Sequence, residues 1–136
     1  MTTETPSMKR LALMGTLGLA MVAGVVSQAG AQAAAGDPVR GKSVYARCAA
    51  CHDLNTGATR LGPSLKGVIG RTSGTSPNFN YSQALKDKAV VWNAATLDQF
   101  LAGPAKYVPG NRMAFPPLAN PQDRADLIAF LDQSAH

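Results

Sequence analysis

An all-α fold of about four to five short helices joined by long loops is predicted by three features of the sequence. Asp37-Pro38 and Asn120-Pro121-Gln122-Asp123 each set a capping side chain before a proline, the favoured opening of an α-helix. No segment alternates apolar and polar residues as a half-buried strand would. Gly57, Gly62, Pro63, Gly67, Gly70, Gly74 and Pro77 interrupt every apolar run between residues 53 and 80, so that stretch reads as loop.

Before the first helix comes a separate segment. Residues 11–35 carry no charged side chain. Lys9 and Arg10 precede an apolar run from Leu11 to Val26, and the small-residue triplets Ala31-Gln32-Ala33 and Ala33-Ala34-Ala35 follow it. A positive start, an apolar core and a small-residue cleavage site make up a secretory signal peptide. Residues 1–35 are therefore expected to be cleaved, leaving residues 36–136 as one domain in the periplasm. The alternative is a retained inner-membrane anchor over residues 11–30, because a run extended past Ala29 approaches the ~20 residues of a bilayer span.

The helices follow in order. Asp37 caps the first, which should run from Pro38 through Val39, Val44 and Tyr45 to about Ala50. Gly41 inside it costs about 1 kcal/mol against alanine, which is explained if another helix crosses closely there. A short helix is expected around Ser82–Asp87 with Ser82 as cap. Thr96 is expected to cap another from Leu97 to about Ala102, stopped by Gly103-Pro104. Residues 105–119 read as non-helical because of Pro109-Gly110 and Pro116-Pro117. The final helix opens at Asn120-Pro121 and gathers Leu127, Ile128, Phe130 and Leu131 into one apolar face.

Charge excludes one class of partner. Of 13 Lys and Arg and 8 Asp and Glu in the chain, Lys9, Arg10 and Glu4 fall in the leader, which leaves 11 against 7. The surplus is modest and unclustered, whereas nucleic-acid binding needs a basic stripe with stacking aromatics. Mild positive charge suits transient docking on the acidic surface of another protein. Lys42, Lys66, Lys86, Lys106 and Arg112 are the candidate contacts.

The chemistry concentrates at Cys48-Ala49-Ala50-Cys51-His52, the pattern of covalent c-type haem attachment. Two thiols three residues apart on a helical turn face the same way, so both can bond one edge of a porphyrin. His52, next in the chain, can then ligate the iron. A redox dithiol of the thioredoxin type would want strands around it. Structural zinc would need four ligands, and the chain has only two Cys and two His, the second being His136. A Cys48–Cys51 disulfide would close too small a loop to stabilise much, and buried cysteines beside a surface histidine complete the alternatives. Loops over about half of a domain normally argue against such an assignment; a large apolar cofactor gives them something to pack on.

The sixth ligand follows by elimination. Of five methionines, Met1, Met8, Met14 and Met21 lie in the leader, so Met113 is the one left in the domain. Without a haem it would read as a core gap-filler. With one, His52/Met113 ligation closes the iron site, which points to electron transfer rather than catalysis. A haem peroxidase or gas-binding protein would need an open sixth position, and an electron-transfer subunit of a larger oxidoreductase would travel with a stable partner.

From Gly41 to the last helix the sequence resembles the class I cytochrome c family, of the mitochondrial and soluble bacterial type. Phe79-Asn80-Tyr81, Trp92, Thr96-Leu97 and Lys106-Tyr107-Val108-Pro109-Gly110-Asn111-Arg112-Met113 carry the resemblance. It implies the cytochrome c fold around one haem c, with Gly41 and Tyr45 crossing Leu127 and Phe130. It implies that the Pro63 carbonyl accepts the His52 Nδ1–H, and that Arg71, Tyr81 and Trp92 surround the haem propionates. It also implies a monomer that exchanges electrons with an oxidase, a cytochrome bc1-type complex, a reaction centre or a dehydrogenase. Two positions depart from the pattern. Phe100 stands where a haem-facing tyrosine is common, and Asn111, expected to contribute a side-chain hydrogen bond at the cofactor, replaces a threonine.

Overall fold

Both cap-and-proline openings start helices in the computed structural model, which describes residues 35–136; apart from Ala35, the leader expected over residues 1–35 lies outside the described residues. The Asp37 side chain accepts from the backbone N–H of Val39 and Arg40 and opens α1, Pro38–Tyr45. Asn120 accepts from Gln122 N–H and opens α5, Pro121–Ser134. Between them lie α2, Gln83–Lys88, α3, Ala94–Ala102, and α4, Pro104–Tyr107. Among the described residues the nearest thing to a strand is one antiparallel bridge between Thr72 and Val91. No helix there is long and apolar enough to cross a membrane.

The crossing of α1 and α5 closes the fold. A Cβ on Gly41 would lie 2.0 Å from the Asp126 carbonyl oxygen and 2.7 Å from the Phe130 Cβ, so only glycine admits this approach. Tyr45 and Phe130 stack tilted at 5.4 Å beside it. Asp126 fastens the crossing from within: its buried carboxylate accepts from Asp37 N–H at 2.7 Å, Arg40 Nε at 2.9 Å and Gln122 Nε2 at 2.8 Å. These bonds, led by the one from the Asp37 backbone, hold its pKa down to about 2. Leu97, Phe100 and Leu101 of α3 and Leu127 and Leu131 of α5 are buried with Trp92, Val108 and Leu118. That core is small, and it borders the site described below.

Three local expectations are corrected. The first helix ends at Tyr45, not near Ala50, because the Tyr45 carbonyl is shared by the N–H groups of Cys48 and Ala49 and the chain tightens into successive turns. Asn93, not Thr96, caps α3: Asn93 Oδ1 accepts from Thr96 N–H, and Thr96 Oγ1 accepts from Asn93 N–H, a reciprocal box. Within 105–119, read as non-helical, Pro104 opens the single turn α4, since a proline at the first position lacks only an N–H that would go unpaired there. The short helix α2 starts after Ser82 as expected, its hydroxyl accepting from Leu85 N–H.

Candidate functional site

The turns that follow α1 place two sulfurs and an imidazole together. Cys51 N–H and His52 N–H both donate to the Cys48 carbonyl, at 3.0 and 2.9 Å, which brings Cys48 and Cys51 one turn apart. Both thiols are free and half-buried. The Tyr45 hydroxyl donates to the His52 carbonyl at 3.0 Å and ties the end of this turn back to α1. Cys48, Cys51 and His52 all line one cavity of about 620 Å³, a size ordinary for a bound cofactor.

His52 is held in one orientation. Its Nδ1–H donates to the Pro63 carbonyl at 2.7 Å, which leaves Nε2 with the lone pair, the form a metal ligand requires. Gly62 makes the placement possible. Any Cβ at that position would stand 2.5 Å from the imidazole Cε1 and 2.8 Å from Nδ1. Burial pushes the His52 pKa below its ordinary value, against a smaller opposing effect of the Pro63 hydrogen bond. Burial also pushes the Cys48 thiol up.

The rest of the lining comes from far along the chain. Leu65 and Val68 come from the loop after Pro63, Phe79 and Leu85 from around α2, Leu97, Phe100 and Leu101 from α3, and Leu127 and Leu131 from α5. Arg71, Tyr81 and Trp92 are among its polar members, with Arg47, Asn80, Ser82 and Arg112. Arg71 donates to the carbonyls of Ser64 at 2.7 Å and Lys66 at 2.8 Å, and burial pushes its pKa down. Met113 also lines the cavity, from the irregular segment between α4 and α5. A largely apolar hollow with two thiols, one neutral imidazole nitrogen and one thioether fits a covalently attached haem. Among the described residues no cluster of three or more His, Cys, Asp or Glu is placed to hold a bare metal ion.

Of the residues singled out from sequence, the structure thus gathers Cys48, Cys51, His52, Pro63, Arg71, Tyr81, Trp92 and Met113 around one hollow. Asn111 is placed differently. Its carboxamide turns to backbone, donating to the carbonyls of Pro104 and Val108 and accepting from Met113 N–H, and it does not line the cavity. Phe100 does line it, and stacks on Trp92 at 5.2 Å. Among the basic candidates Arg112 reaches the cavity and donates to the Asn80 carbonyl. Lys66, Lys86 and Lys106 are exposed away from it, while Lys42 borders a second hollow beside Tyr45 and Phe130. From sequence Gly62 is named only as part of the loop before Pro63, with no role of its own, and Arg47 is not singled out; both are on the lining. Position 62, directly before the proline that holds the histidine, was the available signal for the first; nothing marked the second.

Comparison with known proteins points the same way. The family model for cytochrome c matches residues 38–135. A cytochrome c2 of Rhodomicrobium vannielii is 44% identical over 119 residues, which span 87% of this chain and 95% of that protein. A cytochrome c of Ulva intestinalis is 48% identical over 103 residues, 74% of this chain and 93% of its own. Among solved structures, cytochrome cH from Methylobacterium extorquens has a TM-score of 0.69 and 39% identity, covering 72% of this chain and 99% of that one.

Proposed function

The chain belongs to the cytochrome c family, haem-carrying electron-transfer proteins rather than enzymes, and we propose that it is a periplasmic one-electron carrier with His52 and Met113 as axial ligands. One haem c is joined through thioethers to Cys48 and Cys51. The observation that carries this reading is convergence: two cysteines, a histidine with Nε2 free and a methionine some sixty positions on line a single apolar cavity.

When bound, the haem would supply an Fe(III)/Fe(II) couple; His52 and Met113 would hold its iron, and a histidine–methionine pair raises the potential of that couple. The protein does the rest. Cys48 and Cys51 anchor one edge of the group, and the Pro63 carbonyl keeps the imidazole aligned and more basic. Leu97, Phe100, Leu127 and Leu131 exclude water, so little has to reorganise when the charge changes. Arg71, Tyr81 and Trp92 are among the polar groups available to the propionates, and Asn111 serves the site through Met113 rather than by its own contact. The leader supports export: residues 1–35 have the three parts of a cleaved signal, and no helix among the described residues is long and apolar enough to cross a membrane. The mature chain's basic surplus supports brief docking of a monomer on acidic surfaces of redox partners such as an oxidase, a cytochrome bc1-type complex, a reaction centre or a dehydrogenase. Such docking weakens as salt rises.

Mass spectrometry of denatured protein from the periplasmic fraction tests the reading. It should give the chain cleaved near Ala33 or Ala35 plus one haem, and Cys48→Ala with Cys51→Ala should give the bare polypeptide. A haem that leaves on denaturation would refute thioether attachment, and a full-length membrane-extracted mass would refute cleavage.

A further inference from the structure

The segment carrying Met113 has few ties of its own. From Pro109 to Ala119 it forms no helix or strand. It is fastened near its ends. At the far end, Leu118 N–H donates to the Leu101 carbonyl at 2.9 Å. There Arg124 also donates to the Leu118 and Ala119 carbonyls, at 2.8 and 3.0 Å, and to Asp98 Oδ1 at 2.7 Å. At the near end Arg112 donates to the Asn80 carbonyl and Asn111 N–H to the Val108 carbonyl, but the side-chain bond that reaches Met113 itself comes from Asn111. Asn111 Nδ2 donates to the Pro104 carbonyl at 2.8 Å and to the Val108 carbonyl at 2.9 Å, and Oδ1 accepts from Met113 N–H at 2.9 Å.

We propose that Asn111 is the positioning residue of the methionine ligand, bolting the Met113 backbone to the turn of α4, and that it contributes no hydrogen bond to the cofactor. The inference rests on Met113 being the axial ligand, as proposed above. A primary amide has two donor hydrogens, and both are spent on Pro104 and Val108. Its oxygen then reaches the ligand residue's own N–H, two positions on. No other side chain of that length can make all three bonds. Threonine has one donor, and aspartate has none and would set a negative charge against two carbonyl oxygens. A free thioether at the end of an untied backbone would be displaced more readily by an external ligand, because holding the loop would no longer be settled in advance.

The test uses the haem-loaded protein and two readouts: the weak far-red absorption band of methionine-ligated ferric haem, and the affinity of the ferric protein for imidazole. Asn111→Asp should bind imidazole about tenfold or more tightly than the unsubstituted protein, from the loss of two or more hydrogen bonds, with the band diminished. Asn111→Thr, keeping one donor, should fall between. Asp98→Asn loosens the far end of the same segment and should lower the melting temperature while leaving band and imidazole affinity unchanged. Unchanged imidazole affinity in Asn111→Asp overturns the proposal, as does an equal effect of Asp98→Asn. If Asn111→Asp does not load haem, Asn111→Thr decides on the same criterion. Absence of the band in the unsubstituted protein would instead overturn Met113 ligation itself, and the inference with it.

Discussion

Replacing Gly62 by alanine should damage the protein through a single methyl group. The new Cβ would sit 2.5 Å from His52 Cε1, 2.8 Å from Nδ1 and 3.0 Å from Nε2, so it presses on the whole ring edge. The imidazole would have to retreat by roughly 1 Å to reach ordinary van der Waals contact. It is not free to do so, because Nδ1–H is bonded to Pro63 O at 2.7 Å, in the very next residue. Overpacking of this kind costs about 1–3 kcal/mol, and loss of the hydrogen bond about 1 kcal/mol more. Alanine returns about 0.4–1 kcal/mol by restricting the unfolded chain. The net loss of about 1–3.5 kcal/mol corresponds to a melting temperature lower by roughly 5–25 °C for a domain of this size. Thermal unfolding of the haem-loaded protein, followed by circular dichroism, measures it. A shift of less than about 2 °C with an unchanged haem spectrum would refute the reasoning, since the ring could not then be packed against residue 62.

Two further outcomes follow from features outside the cavity. Asp126 has its pKa held down to about 2 from the ordinary aspartate value of 3.8, so its bonds stabilise the protein fully above the unfolded value and are lost as pH falls from about 4 toward 2. Asp126→Asn should flatten the pH dependence of stability across that window, read by denaturant unfolding at several pH values; an unchanged slope would contradict the assignment. Ala89 closes α2 with φ 44°, in the left-handed region that a side chain disfavours. Ala89→Gly should therefore stabilise by about 0.5–1 kcal/mol and raise the melting temperature by several degrees; a fall would mean the alanine methyl earns contacts that outweigh its strain.

What was legible in the sequence was chemistry that is local in the chain. Asp37-Pro38, Ser82 and Asn120-Pro121 start helices because a cap acts on backbone within three residues. Cys48, Cys51 and His52 announce themselves by spacing for the same reason. The misreadings arise where two local rules compete. Thr96 and Asn93 are both good caps, and the reciprocal box assigns them different places in one motif. Pro104 reads as a stop for α3 and is also the start of α4. Asn111 is not counted among them: the sequence leads one to expect a hydrogen bond from it at the cofactor, and in the fold both its amide hydrogens go to the Pro104 and Val108 carbonyls, partners in place once α4 has formed. Gly62 is visible only as a loop glycine before Pro63, whereas Gly41 reads as the site of a close helix crossing. That each faces a surface with no room for a methyl group depends on His52 and on Asp126, and in the second case the contact spans most of the domain.

The central claim, that His52 and Met113, which line one cavity, are the two ligands that would hold the iron, is tested most directly by the far-red band of the ferric protein. It should be present in the unsubstituted chain and absent from Met113→Ala, whose haem should remain covalently attached and become open to external ligands. A band that survives in Met113→Ala, or one missing from the unsubstituted protein, would contradict the account.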